Sequence, residues 1–232
     1  MLKALLTDID GTITDPARRI HTGAIETIRS LVGQGVVVVL ASGNTSCFME
    51  SLCKMIGTQG SFIAENGGVF RVGYTGPLRI TGDQSACRKA LETVQVYYRT
   101  RGKELDLFSP TYRFADLAFA RTVPVGEVKE IVKDYPVQVI DTGYAIHLQS
   151  PGVNKGTTLV TLAETMGLNP ADFLAIGDSV NDIQMLKAAG IGITVANAHP
   201  DTKAAAEYVA EKEYGDGFVE GMKKYSSYFR AR

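Results

Sequence analysis

An unbroken apolar run, Val36-Val37-Val38-Val39-Leu40, constrains the fold of this chain more than any other segment. Such a run is typical of a strand that is covered on both faces within a parallel sheet. Helical periodicity precedes it at residues 22–34 and follows it at residues 46–56. Further strands, most of them separated by helical or turn segments, are predicted at 2–9, 61–64, 69–72, 173–176 and 191–195. This alternation predicts an α/β fold with a doubly wound, Rossmann-like parallel sheet.

The middle of the chain has a different pattern. Its predicted elements follow the order helix, strand, strand, helix, strand, strand, at residues 84–100, 104–108, 117–121, 124–135, 137–141 and 144–149. Glycine or proline lies near both junctions with the flanking βα units. We therefore expect a catalytic core formed by residues 1–81 and 153–232, with an inserted α+β (αββαββ) cap domain at residues 82–152.

Four polar clusters follow predicted strands or begin predicted helices. They are Asp8-Ile9-Asp10-Gly11-Thr12, Ser42-Gly43-Asn44, Asn154-Lys155-Gly156 and Gly177-Asp178-Ser179-Val180-Asn181-Asp182. Ligands of open α/β sheets bind beyond the carboxyl ends of the strands. The clusters are therefore predicted to share one crevice.

The predicted crevice holds four carboxylates, those of Asp8, Asp10, Asp178 and Asp182. Their mutual repulsion is costly unless a cation neutralises it. Oxygen ligands without His or Cys nearby favour Mg²⁺, so all four are predicted metal ligands. Lys155 and the helix N-terminus after Ser42 suit a phosphate group. A carboxylate beside a metal-bound phosphorus can act as a nucleophile.

In this order, the clusters resemble the four motifs of the haloacid dehalogenase superfamily, and the first looks like the D-x-D-x-T signature of its phosphatases. The resemblance implies that Asp8 is the nucleophile and a Mg²⁺ ligand. It implies that Asp10 is the general acid and base and ligates Mg²⁺ through its backbone carbonyl. Asp178 would ligate Mg²⁺, and Asp182 would ligate it directly or support the ligands. Substrate binding is predicted for Ser42, Gly43, Asn44, Lys155 and Asn181.

The insert is similar to the αββαββ caps of the Cof-like branch, and in short chains such as this one to those of the archaeal-type phosphoglycolate phosphatases. That resemblance implies hydrolysis of a small phosphomonoester, phosphoglycolate first. Three cap residues, Lys103, Arg113 and Arg121, are candidates to meet a substrate carboxylate, although a solvated surface charge is the simpler interpretation of each.

Other functions within the fold stay open at this point. Sugar phosphatases and mannosyl-3-phosphoglycerate phosphatases of the same branch are alternatives, and related phosphomannomutases also carry paired aspartates. Transport ATPases of the superfamily have Thr where Asp10 stands, which disfavours them. A non-catalytic phosphometabolite binder is disfavoured because every matched catalytic position is occupied.

The composition of the chain limits the classes of binding partner that are expected. The formal net charge is −1, with no basic concentration that would indicate nucleic acid or an anionic membrane surface, so a small phosphorylated metabolite is the expected partner. The N-terminal segment resembles no signal peptide and leads directly into the first polar cluster, so a cytoplasmic location is expected. Three cysteines and three histidines show no zinc-ligand spacing. The oligomeric state is open, a homodimer included.

Overall fold

Within residues 1–229, which the computed structural model describes, eleven strands form two sheets. The strands are β1 (Ala4–Asp8), β2 (Val37–Ala41), β3 (Ser61–Ala64), β4 (Val69–Arg71), β5 (Arg79–Ile80), β6 (Asp116–Ala120), β7 (Gln138–Asp141), β8 (Ala145–Gln149), β9 (Phe173–Gly177), β10 (Ile191–Thr194) and β11 (Tyr208–Val209). The larger sheet has the order β11-β10-β9-β1-β2-β3-β4-β5. Its first six strands are parallel, whereas β4 and β5 are antiparallel additions at one edge. The predicted α/β fold with a mainly parallel sheet is confirmed.

Eight helices accompany these sheets within the described residues. They are α1 (Thr22–Gly33), α2 (Ser46–Ile56), α3 (Gln84–Arg99), α4 (Val125–Ile131), α5 (Lys155–Thr165), α6 (Ile183–Ala188), α7 (Pro200–Ala205) and α8 (Tyr214–Tyr225). None of the helices in this part of the chain is both long and apolar enough to cross a membrane.

Both faces of the larger sheet are buried, as the run at residues 36–40 predicts. Val38 and Leu40 of β2 pack in one core cluster, together with Ile28 of α1. Val39 packs in a second cluster on the opposite face with residues of α5, among them Leu159. Burial of each such side chain contributes about 1.5–3 kcal/mol to folding. An alternating polar pattern could not fill both clusters, which is why β2 is apolar throughout.

The smaller sheet is antiparallel, with the order β6-β8-β7. Together with α3 and α4 it encloses a third core cluster, which includes Val94, Phe119, Val128 and Ile146. This separate α+β unit lies within the predicted cap, although the exact boundaries at residues 81/82 and 152/153 stay a prediction.

One predicted cap strand, at residues 104–108, is wrong. Only an isolated bridge joins Leu107 to Phe119, although two backbone hydrogen bonds, Phe108 to Ala118 and Ala120 to Asp106, hold the segment alongside β6. The chain then bends at Ser109, whose φ is 51°. Because the bend ends the pairing, the cap sheet has three strands instead of four.

Candidate active site

The register of three central strands brings the first and fourth polar clusters together. β1 lies between β2 and β9, and Asp8 is level with Ala41 of β2, directly before Ser42. Thr7 is level with Ile176 of β9, two residues before Asp178. Parallel strands present their carboxyl ends at the same edge, so both clusters emerge there.

Lys155 is the central cation of the site. It is the first residue of α5, and the Asn154 side chain caps this helix by accepting the backbone N–H groups of Gly156 and Thr157. The Lys155 side chain is fully buried, and its Nζ lies 2.5 Å from Asp8 Oδ1 and 2.6 Å from Asp182 Oδ1. The lysine therefore bridges the first and fourth clusters from a rigid helix terminus.

Both carboxylate oxygens of Asp182 accept hydrogen bonds from the protein. Besides Lys155, it meets the backbone N–H groups of Asp178 and Ser179, which donate to Oδ2 at 3.0 Å each. A Cβ on Gly177 would lie 2.5 Å from the Asp182 carboxyl carbon, so only glycine fits there. Since both oxygens are engaged, Asp182 is placed to orient the Asp178 loop and Lys155.

Asp178 is connected to Asp8 through Thr12. Thr12 Oγ1 lies 3.2 Å from Asp8 Oδ2 and 3.0 Å from Asp178 Oδ1, so the hydroxyl links the two carboxylates. Gly11 has a φ of +87°, and a Cβ there would lie 2.5 Å from Asp178 Oδ2. The glycine of the first cluster is thus required both by backbone conformation and by the close approach of Asp178.

Asp10 lies apart from this buried cluster and lines a cavity of about 320 Å³ together with Asp8. Asn44 Nδ2 lies 3.0 Å from Asp10 Oδ2 and 2.9 Å from Ser42 Oγ, and the Asn44 backbone N–H also donates to Ser42 Oγ. Since the Ser42 oxygen accepts both bonds, its own hydroxyl proton is available to a ligand. Gly43 and Asn181 also line the cavity.

Two of the clustered aspartates, Asp8 and Asp178, have a raised pKa. Burial and the charge of Asp182 raise the pKa of Asp8 well above its ordinary range. Burial and the same neighbour raise the pKa of Asp178 to about 7. Burial alone would lower the pKa of Lys155, but Asp182 and Asp8 outweigh it, so the lysine stays charged. One lysine cannot offset three carboxylates, and the cluster retains a demand for positive charge.

That demand fits a divalent cation. Oxygens of Asp8, Asp178 and Asp182 all lie within 4.8 Å of one another. A set of carboxylate oxygens is the donor chemistry that Mg²⁺ prefers. The side chain of Asp10 is not part of this group, which leaves its backbone carbonyl as the atom expected to contribute.

A second polar network extends from the cap and was not predicted. His147 Nδ1 lies 2.8 Å from Asp116 Oδ2 and 3.2 Å from Asn66 Nδ2, and Asn181 Nδ2 donates to Asn66 Oδ1 at 2.9 Å. Asn66, which lies between β3 and β4, therefore links His147 of the cap to Asn181 of the fourth cluster. Asp116 and His147 form no sequence motif, so no local signal could have identified them.

The three cap cations differ in placement. Arg121 pairs with Asp141 and is half exposed, and Lys103 donates to the carbonyl of Thr122 at the surface. Arg113 is buried, contrary to the surface-charge interpretation. It donates to Asp116 Oδ1 at 2.6 Å and to the carbonyl of Gly43 at 3.2 Å. Arg18, which the sequence did not single out, lines the cavity with Asp8.

Comparisons with known proteins show what this chain is similar to. The family model described as haloacid dehalogenase-like hydrolase matches residues 5–93 and 124–222. A phosphoglycolate phosphatase of Methanoculleus marisnigri is 58% identical, with all of both chains covered, and one of Methanospirillum hungatei is 49% identical, again with full coverage. A solved structure from Thermoplasma acidophilum is 28% identical, with a TM-score of 0.86 over 97% of this chain and 99% of that one.

Proposed function

Because this chain belongs to the haloacid dehalogenase-like hydrolases and is a phosphoric monoester hydrolase, we propose that it hydrolyses a small phosphomonoester through an aspartyl-phosphate on Asp8, with phosphoglycolate as substrate. The observation that carries the proposal is the position of Asp8. Asp8 ends β1 and lines a cavity beside Lys155 and Asp178, and Asp10 lines the same cavity.

In the first step, a carboxylate oxygen of Asp8 attacks the phosphorus of the ester. The bond from phosphorus to the leaving oxygen breaks as the bond to Asp8 forms. Protonated Asp10 gives its proton to the leaving oxygen, so an alcohol departs. Asn44 orients the Asp10 carboxyl group through its amide.

In the second step, Asp10 is ionised and takes a proton from a water molecule. The water oxygen attacks phosphorus, the bond to Asp8 breaks, and inorganic phosphate leaves with Asp8 restored. Lys155 and the Ser42 hydroxyl are assigned to the phosphoryl oxygens, where fixed positive charge and a donor stabilise the transition state. The same Asp10 therefore serves as acid and then as base.

Mg²⁺ is the proposed cofactor, held by Asp8, Asp178 and the backbone carbonyl of Asp10. Asp182 supports these ligands from behind, because both of its oxygens already accept protein hydrogen bonds. When bound, the ion would neutralise the carboxylates and withdraw charge from the phosphoryl group. The three carboxylates of this cluster offer only oxygen donors, which supports Mg²⁺ over a softer metal.

Phosphoglycolate is proposed as the substrate because relatives named phosphoglycolate phosphatase match this chain over its whole length. The cavity also suits a small substrate, since side chains from the cap, among them Phe108 and Tyr144, line it opposite the core. A cap over the site restricts access by bulky phosphoproteins or nucleic acids.

The test is a set of initial rates with Mg²⁺ on phosphoglycolate, phosphoglycerates, hexose phosphates and a chromogenic phosphate. We expect a preference for phosphoglycolate, loss of activity in EDTA and recovery with Mg²⁺. A preference for hexose phosphates would favour the sugar phosphatases, and a requirement for a sugar bisphosphate would favour the mutases.

Two variants separate the roles of the paired aspartates. Asp8→Asn should abolish turnover, because an amide side chain cannot form the aspartyl-phosphate. Asp10→Asn should slow it by about 10²–10⁴-fold. Exposed Asp134 provides the matched control, and Asp134→Asn should leave the rate unchanged. Substantial turnover by Asp8→Asn would contradict the covalent route.

A further inference from the structure

Two adjacent arginines at residues 18 and 19 have different environments. Asp15 accepts from the Arg19 backbone N–H at 2.9 Å and from Arg19 Nε at 2.8 Å, and Arg19 Nη2 lies 2.7 Å from the same carboxylate. The acidic side chain of this loop is thus fully engaged by Arg19. Within residues 1–229, Arg18 forms no salt bridge.

Arg18 instead reaches toward the cap. Its guanidinium carbon lies 4.4 Å from the centre of the Tyr144 ring, in the turn between β7 and β8. Stacking on an aromatic ring occupies the face of a guanidinium and leaves its N–H edges free to donate. Core loop and cap turn together hold a cation whose hydrogen-bonding edge has no acidic partner in the described chain.

The backbone also specifies this placement. Arg18 has a φ of 62°, in the left-handed region that non-glycine residues seldom enter. The turn is closed by a hydrogen bond from the Arg18 backbone N–H to the carbonyl of Asp15 at 2.8 Å. A flanking bridge between Thr14 and Ile20 holds the base of the loop. The loop keeps this conformation, with Arg18 at the cavity and Arg19 turned to Asp15.

The other cations near the site have different assignments. Lys155 lies against Asp8 and Asp182 and is assigned to the phosphoryl oxygens. Arg113 donates to Asp116, to the carbonyl of Gly43 and, through Nε, to the carbonyl of Phe108. Of the lysines and arginines in the described chain, only Arg18 and Arg113 line the cavity. A second anionic group on a substrate, beyond its phosphate, would therefore meet Arg18.

We propose that Arg18 determines specificity by binding the carboxylate of the substrate while the phosphate is at Asp8. The substrate class is then small phosphomonoesters with a carboxylate close to the phosphate, and the selective residue comes from the core loop instead of from the cap. A planar guanidinium fork matches a carboxylate with two parallel hydrogen bonds. This inference rests on the proposed phosphatase function and assigns its selectivity.

Two inert phosphonates test the inference by calorimetric titration with Mg²⁺ present. One is 3-phosphonopropionate, in which a methylene replaces the ester oxygen of phosphoglycolate, and the other is ethylphosphonate, which lacks the carboxylate. The wild-type protein should bind the first more tightly by about 10- to 100-fold. Arg18→Met should remove this preference, and Arg18→Lys should keep part of it, because lysine retains charge without the fork.

Arg19→Met is the matched control, and its preference should equal that of the wild type. Equal binding of both phosphonates by the wild type, or an undiminished preference in Arg18→Met, would overturn the inference. The same holds if Arg19→Met loses as much preference as Arg18→Met.

Hydrolysis rates on phosphoglycolate and on 2-hydroxyethyl phosphate separate this inference from the proposed function. Arg18→Met should lose rate on the first substrate only, mainly through KM. A wild-type protein that hydrolyses neither ester but shows Arg18-dependent phosphonate binding would overturn the phosphatase proposal and support the binding role. Hydrolysis of both esters without any preference would do the reverse.

Discussion

The core and the cap each bury an aspartate against a basic side chain, yet the two clusters differ in charge balance. In the core, Asp8, Asp178 and Asp182 form a cluster with a single lysine, Lys155, which pairs with Asp8 and Asp182. In the cap, Asp116 lies between Arg113 at 2.6 Å and His147 at 2.8 Å. The core cluster is short of positive charge, whereas the cap cluster supplies its own.

The pKa shifts of the aspartates follow this difference. Burial acts on both clusters in the same direction and raises the pKa of a carboxyl group. In the core, the charge of Asp182 adds to the effect of burial, and the pKa of Asp178 rises to about 7. In the cap, burial is outweighed by His147 and Arg113, so the pKa of Asp116 falls below its ordinary value. A deficit of charge marks a site that takes a cation, and a balanced pair marks a structural one.

Removal of the core lysine should have the largest effect. Lys155→Met keeps the length of the side chain but leaves Asp8 and Asp182 without their cation. We expect kcat/KM on the preferred ester to fall by at least about 10²–10³-fold, because a fixed charge at the phosphoryl oxygens is lost. Steady-state kinetics measure this, with exposed Lys223→Met as the control. A loss below tenfold would mean that Lys155 only holds the fold.

Removal of the cap carboxylate should act on stability. Asp116→Asn leaves Arg113 buried without a carboxylate, which should lower the free energy of unfolding by about 3–5 kcal/mol. Urea denaturation checks this value. Asp141→Asn breaks the exposed pair with Arg121 and should cost about 1 kcal/mol or less. Equal costs for the two variants would remove the distinction between buried and exposed pairs in the cap.

The corresponding change in the core should have the opposite sign. Without metal at pH 8, Asp178→Asn removes a carboxylate that the neighbouring carboxylates repel. The free energy of unfolding of the variant should therefore be about 1–2 kcal/mol higher than that of the wild type. With Mg²⁺ added, the wild type should gain stability and the variant should gain much less. Urea denaturation of both proteins with and without Mg²⁺ gives the four values. A less stable metal-free variant would contradict the proposed charge deficit.

The stability of the metal-free protein should also depend on pH. The pKa of Asp178 is about 7 in the folded protein, above its ordinary value of 3.8. Between these two pH values, Asp178 therefore keeps its proton in the folded state and has released it in the unfolded state. The stabilisation is complete below pH 3.8 and is lost as pH rises through about 7. Melting temperatures from pH 5 to 8 should show this decline, and saturating Mg²⁺ should oppose it because the ion binds the ionised carboxylates.

The smallest effect is expected at Glu65, which joins core to cap. Its carboxylate accepts backbone N–H groups of Phe114, Ala115 and Asp116, but burial and the charge of Asp116 raise its pKa to about 7. Glu65→Gln keeps an acceptor without the charge, so stability at pH 8 should change by about 1 kcal/mol or less. The stability of Glu65→Gln should also fall less than that of the wild type between pH 5 and 8. A large loss at pH 8 would show that the ionised carboxylate is the favoured form.

Much of the site was predictable because the four polar clusters follow regular elements. Once β1, β2 and β9 are parallel neighbours, Asp8, Ser42 and Asp178 must emerge at one edge of the sheet. Lys155 was predictable for a similar reason, since Asn154 before it is a helix cap. The unpredicted residues, Glu65, Asp116, His147 and Arg18, belong to no motif. Their roles depend on how closely the cap approaches the core.

The sequence by itself determined the parallel core and brought Asp8, Asp178 and Asp182 to one edge of its sheet, because periodicity and strand-end polarity are local properties of the chain. The tertiary structure decided that the Asp10 side chain lies apart from these three carboxylates. Only the tertiary structure decided that Arg113 is buried, that residues 104–108 end in a bend, and that Arg18 stacks on Tyr144. Arg18 and Arg19 are neighbours of the same type, so no local rule distinguishes them. Their environments diverge because Asp15 can satisfy one guanidinium while the cap turn meets the other.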